Sequence, residues 1–305
     1  MSVKNSFLYN DDFASVSYGE GHPMRPARLR LCRELISALG LDNLPHGEIT
    51  PSLPAGYEDL LLVHSPEYIR ILQEADSGSI PAGAARYGLG AGDNPVFRGV
   101  YRWSCLSAGA SLQAARMVLD GEAKRAFNIA GGLHHAMQER ASGFCYINDA
   151  ALAIEYLVRA GKRVAYVDVD AHHGDGVQEA FYNTDKVLTI SLHESGQNLF
   201  PGTGFVEERG SGEGLGYSVN VPLPPETGDG LYLKTLKALV PDLISAFSPD
   251  VLVTQLGADS LAGDPLTHLK LTISGFEEIV EVFSGLNLPW VALGGGGYDI
   301  GATAS

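Results

Sequence analysis

Cysteine is scarce in this 305-residue sequence, which contains only Cys32, Cys105 and Cys145. No two of them form a Cys-x-x-Cys pair, and their number is odd. This pattern indicates neither a disulfide framework nor a thiolate zinc site. We therefore expect small, buried cysteine side chains in a reducing compartment.

Long apolar runs are also missing. No segment approaches the ~18 consecutive apolar residues of a membrane span, and the N-terminal Met-Ser-Val-Lys-Asn-Ser lacks the apolar core of a signal peptide. These absences predict a cytoplasmic protein with no membrane partner.

Basic residues are outnumbered, with 21 Lys and Arg against 36 Asp and Glu, a net charge of −15 and a pI of about 4.9. An acidic chain is poorly suited to a nucleic-acid phosphate backbone, so we expect no direct nucleic-acid partner. A cationic substrate would be attracted.

What the sequence does contain is enough apolar material for a large core. Hydrophobic residues make up 45% of the chain, charged residues 19%, and the mean hydropathy is +0.03. No repeat, low-complexity tract or linker divides it, so we expect one globular domain spanning residues 1–305.

Four apolar segments, each followed by glycine or charged residues, alternate with helical patterns. We predict strands at 126–130, 164–167, 251–256 and 289–293. Further strands are predicted at 187–193 and 217–221, and helices at 22–40, 58–63, 66–76, 97–120, 149–160, 177–182, 230–247 and 274–284. Loops are predicted at 77–95, at 139–148 and at 41–57, where the loop has room for one short strand. The alternation predicts an α/β fold with a mostly parallel central sheet, helices on both faces, and a ligand site beyond the carboxyl ends of the strands.

The central segment 163–176 reads Arg-Val-Ala-Tyr-Val-Asp-Val-Asp-Ala-His-His-Gly-Asp-Gly. If the backbone stays extended through 164–170, Asp168, Asp170 and His172 project to one side. Carboxylates at the end of an apolar strand are costly to bury without a counter-charge, and Asp and His suit zinc or a similar divalent metal. A strand end whose charges are solvated or ion-paired is the alternative.

Polar residues also follow the other three strands. Paired glycines precede His134 and His135, Gly257-Ala precedes Asp259, and four glycines precede Tyr298. Because the ends of parallel strands meet, Asp259 is the natural third ligand beside Asp170 and His172, with the other three residues around the metal. A packed core histidine and a packed aromatic ring are the alternatives for His134 and Tyr298.

Seven segments together resemble the zinc-dependent histone deacetylase family, including its prokaryotic acetoin-utilisation members, with the arginase–deacetylase fold. They are Gly-His-Pro-Met-Arg-Pro (21–26), Gly-Gly-Leu-His-His-Ala (131–136), Ser-Gly-Phe-Cys-Tyr-Ile-Asn-Asp (142–149), Asp-Val-Asp-Ala-His-His-Gly-Asp-Gly (168–176), Phe-Pro-Gly-Thr-Gly (200–204), Gly-Ala-Asp-Ser-Leu-Ala-Gly-Asp (257–264) and Gly-Gly-Gly-Gly-Tyr (294–298). They cover most of the chain in the family's order.

The resemblance implies roles for individual residues. Its implied zinc ligands are Asp170, His172 and Asp259. Its implied catalytic residues are His134 supported by Asp168, His135 supported by Asp175, and Tyr298 as donor to the scissile carbonyl oxygen. Its implied substrate-binding residues are Gly143, Phe144 and Phe200 in a narrow tube, with Leu266 and Asp93 at the rim. Arg28, which helix periodicity alone places on a solvated face, is the implied channel arginine, and the implied potassium site comprises Asp168, Asp170, His172, Ser191 and Leu192.

The function implied is zinc-dependent hydrolysis of acetyl-lysine, in a protein or a small acetylated amine, with release of acetate. We expect one zinc ion per chain, with Fe²⁺ as the alternative in the cell, and binding of hydroxamate inhibitors. Two rival functions stay open, and a third, the ureohydrolase, lacks ligands for its second metal. An acetylpolyamine amidohydrolase differs at the rim, where Leu266 supplies no carboxylate; a binuclear manganese ureohydrolase needs a second Asp-x-Asp pair, but Ser260 and Leu261 follow Asp259; and a non-catalytic acyl-binding protein could retain the fold.

The resemblance also bears on the C-terminus. Relatives continue past the Gly-Gly-Gly-Gly-Tyr motif through further helices, whereas this sequence stops at Ser305. The resemblance thus implies either a truncated C-terminal part or the absence of that helical cover.

Overall fold

Eight parallel strands form a central sheet in the computed structural model, which describes residues 4–90 and 92–304. Residues 1–3, Ala91 in the predicted loop 77–95, and Ser305 lie outside the described residues. In chain order the strands are β1 Lys4–Tyr9, β2 Gly47–Pro51, β3 Ala123–Asn128, β4 Val164–Asp168, β5 Val187–Glu194, β6 Ser218–Leu223, β7 Val251–Gln255 and β8 Trp290–Leu293. Across the sheet their order is β2-β1-β3-β8-β7-β4-β5-β6.

Helices cover both faces of this sheet. They are α1 Ala27–Ala38, α2 Tyr57–Leu60, α3 Pro66–Ala75, α4 Val100–Leu119, α5 Asp149–Arg159, α6 Asp175–Phe181, α7 Asp229–Phe247, α8 Ile273–Gly285 and α9 Ile300–Ala304. One apolar cluster joins α4 and α5 to one sheet face, and a second joins α7 and α8 to the other. The predicted fold class is confirmed.

β4 lies inside the sheet between β7 and β5, and all five of its residues are buried. Val164 and Tyr166 pack toward α4 and α5, whereas Ala165 and Val167 pack toward α7 and α8. A strand buried on both faces needs a continuous apolar sequence, as β4 has from Val164 to Val167. Burying a side chain such as Val167 contributes about 1.5–3 kcal/mol.

The four strands singled out in the sequence are neighbours, in the order β3-β8-β7-β4. Because all four run in the same direction, their carboxyl ends open on one edge of the sheet. The polar clusters that follow them therefore meet, as predicted.

Local hydrogen bonds mark the ends of two strands, β3 two residues before its predicted end at 130 and β4 one residue beyond its predicted end at 167. The Asn128 side chain accepts a hydrogen bond from the backbone N–H of Ala130, which turns the chain after β3. Asp168 does the same for the backbone N–H of Asp170, so the extended backbone of β4 stops at Asp168. β1 was not predicted from the sequence, because its first three residues, Lys4-Asn5-Ser6, are polar.

An apolar cleft of about 1250 Å³ lies between α1, α8 and the sheet. Cys32, Leu35 and Ile36 of α1 line it half-buried, while Leu39 is 63% exposed. These residues and Leu29 form the apolar face of α1, of which Leu29 alone is buried, so this face lines the cleft. All three cysteines are free. No helix within the described residues is long and apolar enough to cross a membrane.

The buried His64 gives the fold a pH dependence. Its Nε2 accepts a hydrogen bond from the backbone N–H of Asn148 at 3.0 Å, so its Nδ1–H donates to the carbonyl of Met137 at 3.0 Å. Burial lowers the pKa of His64 from 6.5 to about 4. At pH values between these, the unfolded chain binds a proton that the native state does not, so stability falls as the pH drops.

We expect this histidine to remove about 2 kcal/mol of unfolding free energy between pH 7 and pH 5. Urea unfolding at both pH values checks this, comparing wild type with His64→Gln, whose amide oxygen can still accept from Asn148. The pH-dependent loss should shrink in His64→Gln and persist in His46→Gln, which alters an exposed loop. An equal loss in all three proteins would contradict the assignment.

Candidate active site

Asp170, His172 and Asp259 converge beyond the ends of β4 and β7, and all three are buried. Each offers one ligand atom, and these atoms lie within 4.8 Å of one another. The His172 Nδ1 atom is 3.1 Å from Asp170 Oδ1 and 3.0 Å from Asp259 Oδ2. Within residues 4–90 and 92–304, this is the one set of three such side chains close enough to share an ion.

The other oxygen of each carboxylate is fixed by protein donors. Asp170 Oδ2 accepts hydrogen bonds from the backbone N–H of Gly296 and the side chain of Gln255, at 2.8 and 3.1 Å. Asp259 Oδ1 accepts from the backbone N–H of Ala171 at 2.8 Å. Asp170 Oδ1 and Asp259 Oδ2 are thus left facing His172.

The electrostatics of this group favour a cation. Burial and the charge of Asp170 together raise the pKa of Asp259 to about 7. Burial opposes protonation of His172, but hydrogen bonds to Asp170 and Asp259 raise its pKa to about 10. Two buried carboxylates at this distance require positive charge, which a divalent ion supplies when it replaces the proton. Two carboxylates and one imidazole fit zinc.

His134 and His135 lie beside this group, each supported by a carboxylate. The Nδ1 atom of His134 is 2.8 Å from Asp168 Oδ2, and that of His135 is 2.7 Å from Asp175 Oδ1. The two Nε2 atoms are 3.0 Å apart, so one proton lies between them. A carboxylate at Nδ1 leaves Nε2 as the atom that exchanges a proton with a substrate.

The two imidazoles differ in basicity. Burial disfavours the charged form of His134, but Asp168 and Asp170 raise its pKa to about 9. Burial and the charge on His134 lower the pKa of His135 to about 4. The pair therefore titrates as a unit that carries one positive charge near neutral pH, with the extra proton on His134.

The loop that carries both histidines is held by Asp149 and Gln255, for which the sequence analysis predicted no role. Asp149 accepts hydrogen bonds from the backbone N–H groups of Gly132 and Leu133, at 3.0 and 2.7 Å. Gln255 donates to the carbonyl oxygen of Gly132 at 2.8 Å. Gly132 has φ +86°, and a Cβ there would lie 2.1 Å from Gln255 Oε1, so only glycine fits. A polar residue ending an apolar strand was the available signal for Gln255.

Aromatic rings border the approach to the histidines. Phe200 packs edge-on against His135 at 5.0 Å between ring centroids and is 42% exposed. Phe144 packs edge-on against Tyr298 at 5.6 Å. Gly143 lies against His135 and Phe200, since a Cβ at Gly143 would be 2.5 Å from the His135 ring and 2.8 Å from Phe200. The predicted tube residues are brought together.

Arg28 is buried, so the solvated face inferred from helix periodicity was wrong. Its guanidinium donates to the carbonyl oxygens of Gly297 and Gly295, at 2.6 and 2.5 Å. Its Cζ lies 5.9 Å from the centroid of the Tyr298 ring. Helix periodicity could not reveal this position because the partners lie at the other end of the chain.

The remaining predicted residues occupy the rim and β5. Asp93 is exposed, and its carbonyl oxygen lies 3.3 Å from Nε2 of His22. Leu266 is half-buried. Ser191 pairs in register with Asp168 across β5 and β4, and the carbonyl oxygen of Leu192 accepts a hydrogen bond from Tyr232 at 3.1 Å. The five residues of the predicted potassium site thus lie near the ends of two adjacent strands.

Known proteins match the chain closely. The histone deacetylase domain model matches residues 22–305. The acetoin utilization protein AcuC of Bacillus subtilis is 42% identical over 301 residues, which cover 96% of this chain and 77% of that protein.

Two solved structures agree in fold. The crystal structure of an HDAC homologue from Aquifex aeolicus superposes with a TM-score of 0.93 at 40% identity, covering 99% of this chain and 81% of that one. An HDAC homologue complexed with SAHA gives 0.92 at 41% identity, covering 100% and 81%. The chain therefore belongs to the histone deacetylase family, a membership that supports a hydrolase of the deacetylase class.

Proposed function

We propose that this protein is a zinc-dependent amide hydrolase that removes acetyl groups from acetyl-lysine side chains and releases acetate. The observation that carries the proposal is the Asp170–His172–Asp259 group beside two imidazoles, each backed by a carboxylate. Three protein ligands leave a coordination position open, which is typical of catalytic zinc sites. Fe²⁺ is the alternative ion at the same residues.

A zinc ion at Asp170, His172 and Asp259 would supply Lewis acidity toward the acetyl carbonyl and lower the pKa of a water molecule. The Nε2 atoms of the histidine pair take a proton as that water attacks the carbonyl carbon. The Tyr298 hydroxyl donates a hydrogen bond to the carbonyl oxygen as negative charge develops there. A histidine then gives a proton to the departing lysine nitrogen, so that the C–N bond breaks and acetate and the free amine result.

The surrounding residues suit an acyl-lysine chain. The rings of Phe144 and Phe200 contact its methylene groups, and Asp93 at the rim accepts hydrogen bonds from the substrate backbone. Arg28 is the arginine that lines an internal channel beneath the metal. A potassium ion at Asp168, Asp170, His172, Ser191 and Leu192 would stabilise the ends of β4 and β5.

Reconstitution with one equivalent of zinc tests this function. We expect the protein to release acetate and form deacetylated peptide in equal amounts from an acetyl-lysine peptide, because the histidine pair can take and return the protons that hydrolysis moves. A hydroxamate should inhibit the reaction, in keeping with the HDAC homologue complexed with SAHA.

An N-acetylated polyamine assayed in parallel separates the rival substrate. Faster turnover of the polyamine would assign the acetylpolyamine amidohydrolase alternative. No acetate from either substrate, with zinc and hydroxamate both bound, would contradict the proposed hydrolysis and favour a non-catalytic acyl-binding protein.

A further inference from the structure

Tyr298 is reached through four consecutive glycines, Gly294–Gly297. Gly295 and Gly297 have φ of +145° and +129°, a region that other residues rarely adopt. Glycine backbones have the largest conformational freedom of any residue, so this segment does not fix the position of Tyr298 by its own stiffness. The segment itself is anchored, because Arg28 holds the carbonyl oxygens of Gly295 and Gly297 and Asp170 accepts from the N–H of Gly296, but none of these contacts involves Tyr298.

The Asp264 side chain supplies the missing anchor. Its Oδ2 accepts a hydrogen bond from the backbone N–H of Tyr298 at 2.7 Å, and its Oδ1 accepts from the backbone N–H of Leu266 at 2.9 Å. Asp264 is buried, with 9% of its surface exposed. Burial raises the pKa of this carboxyl group, although hydrogen bonds from the backbone of Leu266 and Tyr298 oppose the rise.

The loop around Asp264 is itself fixed to the rest of the site. The hydroxyl of Thr267 donates to the carbonyl oxygen of Asp259 at 2.5 Å. The buried Glu194, at the end of β5, accepts hydrogen bonds from the backbone N–H and Nδ1 of His268, both at 2.8 Å. Asp264 is therefore attached to a loop whose position is set by a metal-binding residue and by the sheet.

We propose that Asp264 is a positioning residue. Its one carboxylate fixes the backbone N–H groups of both Tyr298 and the rim residue Leu266. Asp264 thereby fixes where the Tyr298 hydroxyl lies relative to the tube formed by Gly143, Phe144 and Phe200. Asp264 does not touch the substrate itself. This inference rests on the proposed role of Tyr298 as donor to the carbonyl oxygen.

Asp264→Asn tests the role, because an amide has one acceptor oxygen and presents an N–H₂ group to the second backbone N–H. We expect kcat for an acetyl-lysine peptide to fall about 10-fold to 100-fold, as for other groups that orient a catalytic residue, with a smaller change in KM. Zinc content should stay at one per chain. Asp229→Asn is the matched control. Asp229 also accepts two hydrogen bonds, but both come from Thr272 at the start of α8, and neither involves Tyr298. This variant should keep the wild-type kcat.

The decisive readout is Asp264→Asn in a Tyr298→Phe background. If Asp264 acts through Tyr298, the double variant should be no slower than Tyr298→Phe alone. An equal loss of rate from Asp264→Asn in both backgrounds, or no loss in either, would overturn the positioning role. Unchanged turnover in Tyr298→Phe alone would instead refute the proposed role of Tyr298. Should Asp264→Asn not fold, Asp264→Ser, whose hydroxyl accepts one hydrogen bond, carries the same comparison.

Discussion

His135→Ala should lower kcat for an acetyl-lysine peptide by about 10²-fold to 10⁴-fold, the usual contribution of a general acid or base. The imidazole of His135 lies between Asp175 and His134, and its removal leaves Asp175 without its partner and His134 without its neighbour. None of the three proposed metal ligands changes, so zinc should remain bound. Steady-state kinetics together with elemental analysis of the purified variant measure both quantities.

His46→Ala is the control for this variant, because it removes an imidazole from an exposed loop before β2, at the far edge of the sheet. It should retain wild-type kcat. Turnover near wild type in His135→Ala, with zinc bound, would remove His135 from the mechanism.

Asp259→Asn should weaken zinc binding by more than about 100-fold, the upper end of what outer partners of a metal site contribute, because it removes a ligand itself. Activity at one equivalent of zinc should be lost with the metal. The stability of the metal-free protein, in contrast, should rise. Burial and Asp170 both penalise the charge on Asp259, and an amide in its place can still accept from Ala171 and can donate to Asp170.

Competition with a metal chelator measures the zinc affinity, and thermal unfolding in chelator measures the stability of the metal-free protein. Asp242→Asn, on the exposed face of α7, is the matched control and should change neither quantity. Wild-type zinc affinity in Asp259→Asn would place the metal elsewhere.

The meeting of the four strand ends could be predicted from sequence for a simple physical reason. Parallel strands joined by helices all present their carboxyl ends on one edge, whatever their order. The ligand group could therefore be assembled from Asp170, His172 and Asp259 without knowing that β8 and β7 lie between β3 and β4. Strand order itself depends on long-range packing that no local pattern encodes.

The residues that hold the site in place were harder to find. Asp149, Gln255 and Asp264 act through hydrogen bonds to backbone groups distant in the sequence, with partners 17, 123 and 34 residues away. Arg28 was misplaced by periodicity for the same reason. Local patterns report which face of an element is apolar, but not which buried polar side chain satisfies a distant carbonyl or N–H group.

Ligand chemistry limited the prediction as well. The Asp–His–Asp set indicates a divalent metal, and Ser260 and Leu261 after Asp259 argue against a second ion. The proposed potassium site depends on carbonyl oxygens, and the identity of the acyl carrier depends on the shape of the rim. Side-chain patterns encode neither.

The most direct test of the central claim is a zinc titration of metal-free protein, with acetate release from an acetyl-lysine peptide followed at each step. A mononuclear site at Asp170, His172 and Asp259 predicts that activity is absent without metal and rises linearly to a plateau at one zinc per chain. Full activity without metal, a plateau at two ions per chain, or no turnover with one zinc tightly bound would contradict it.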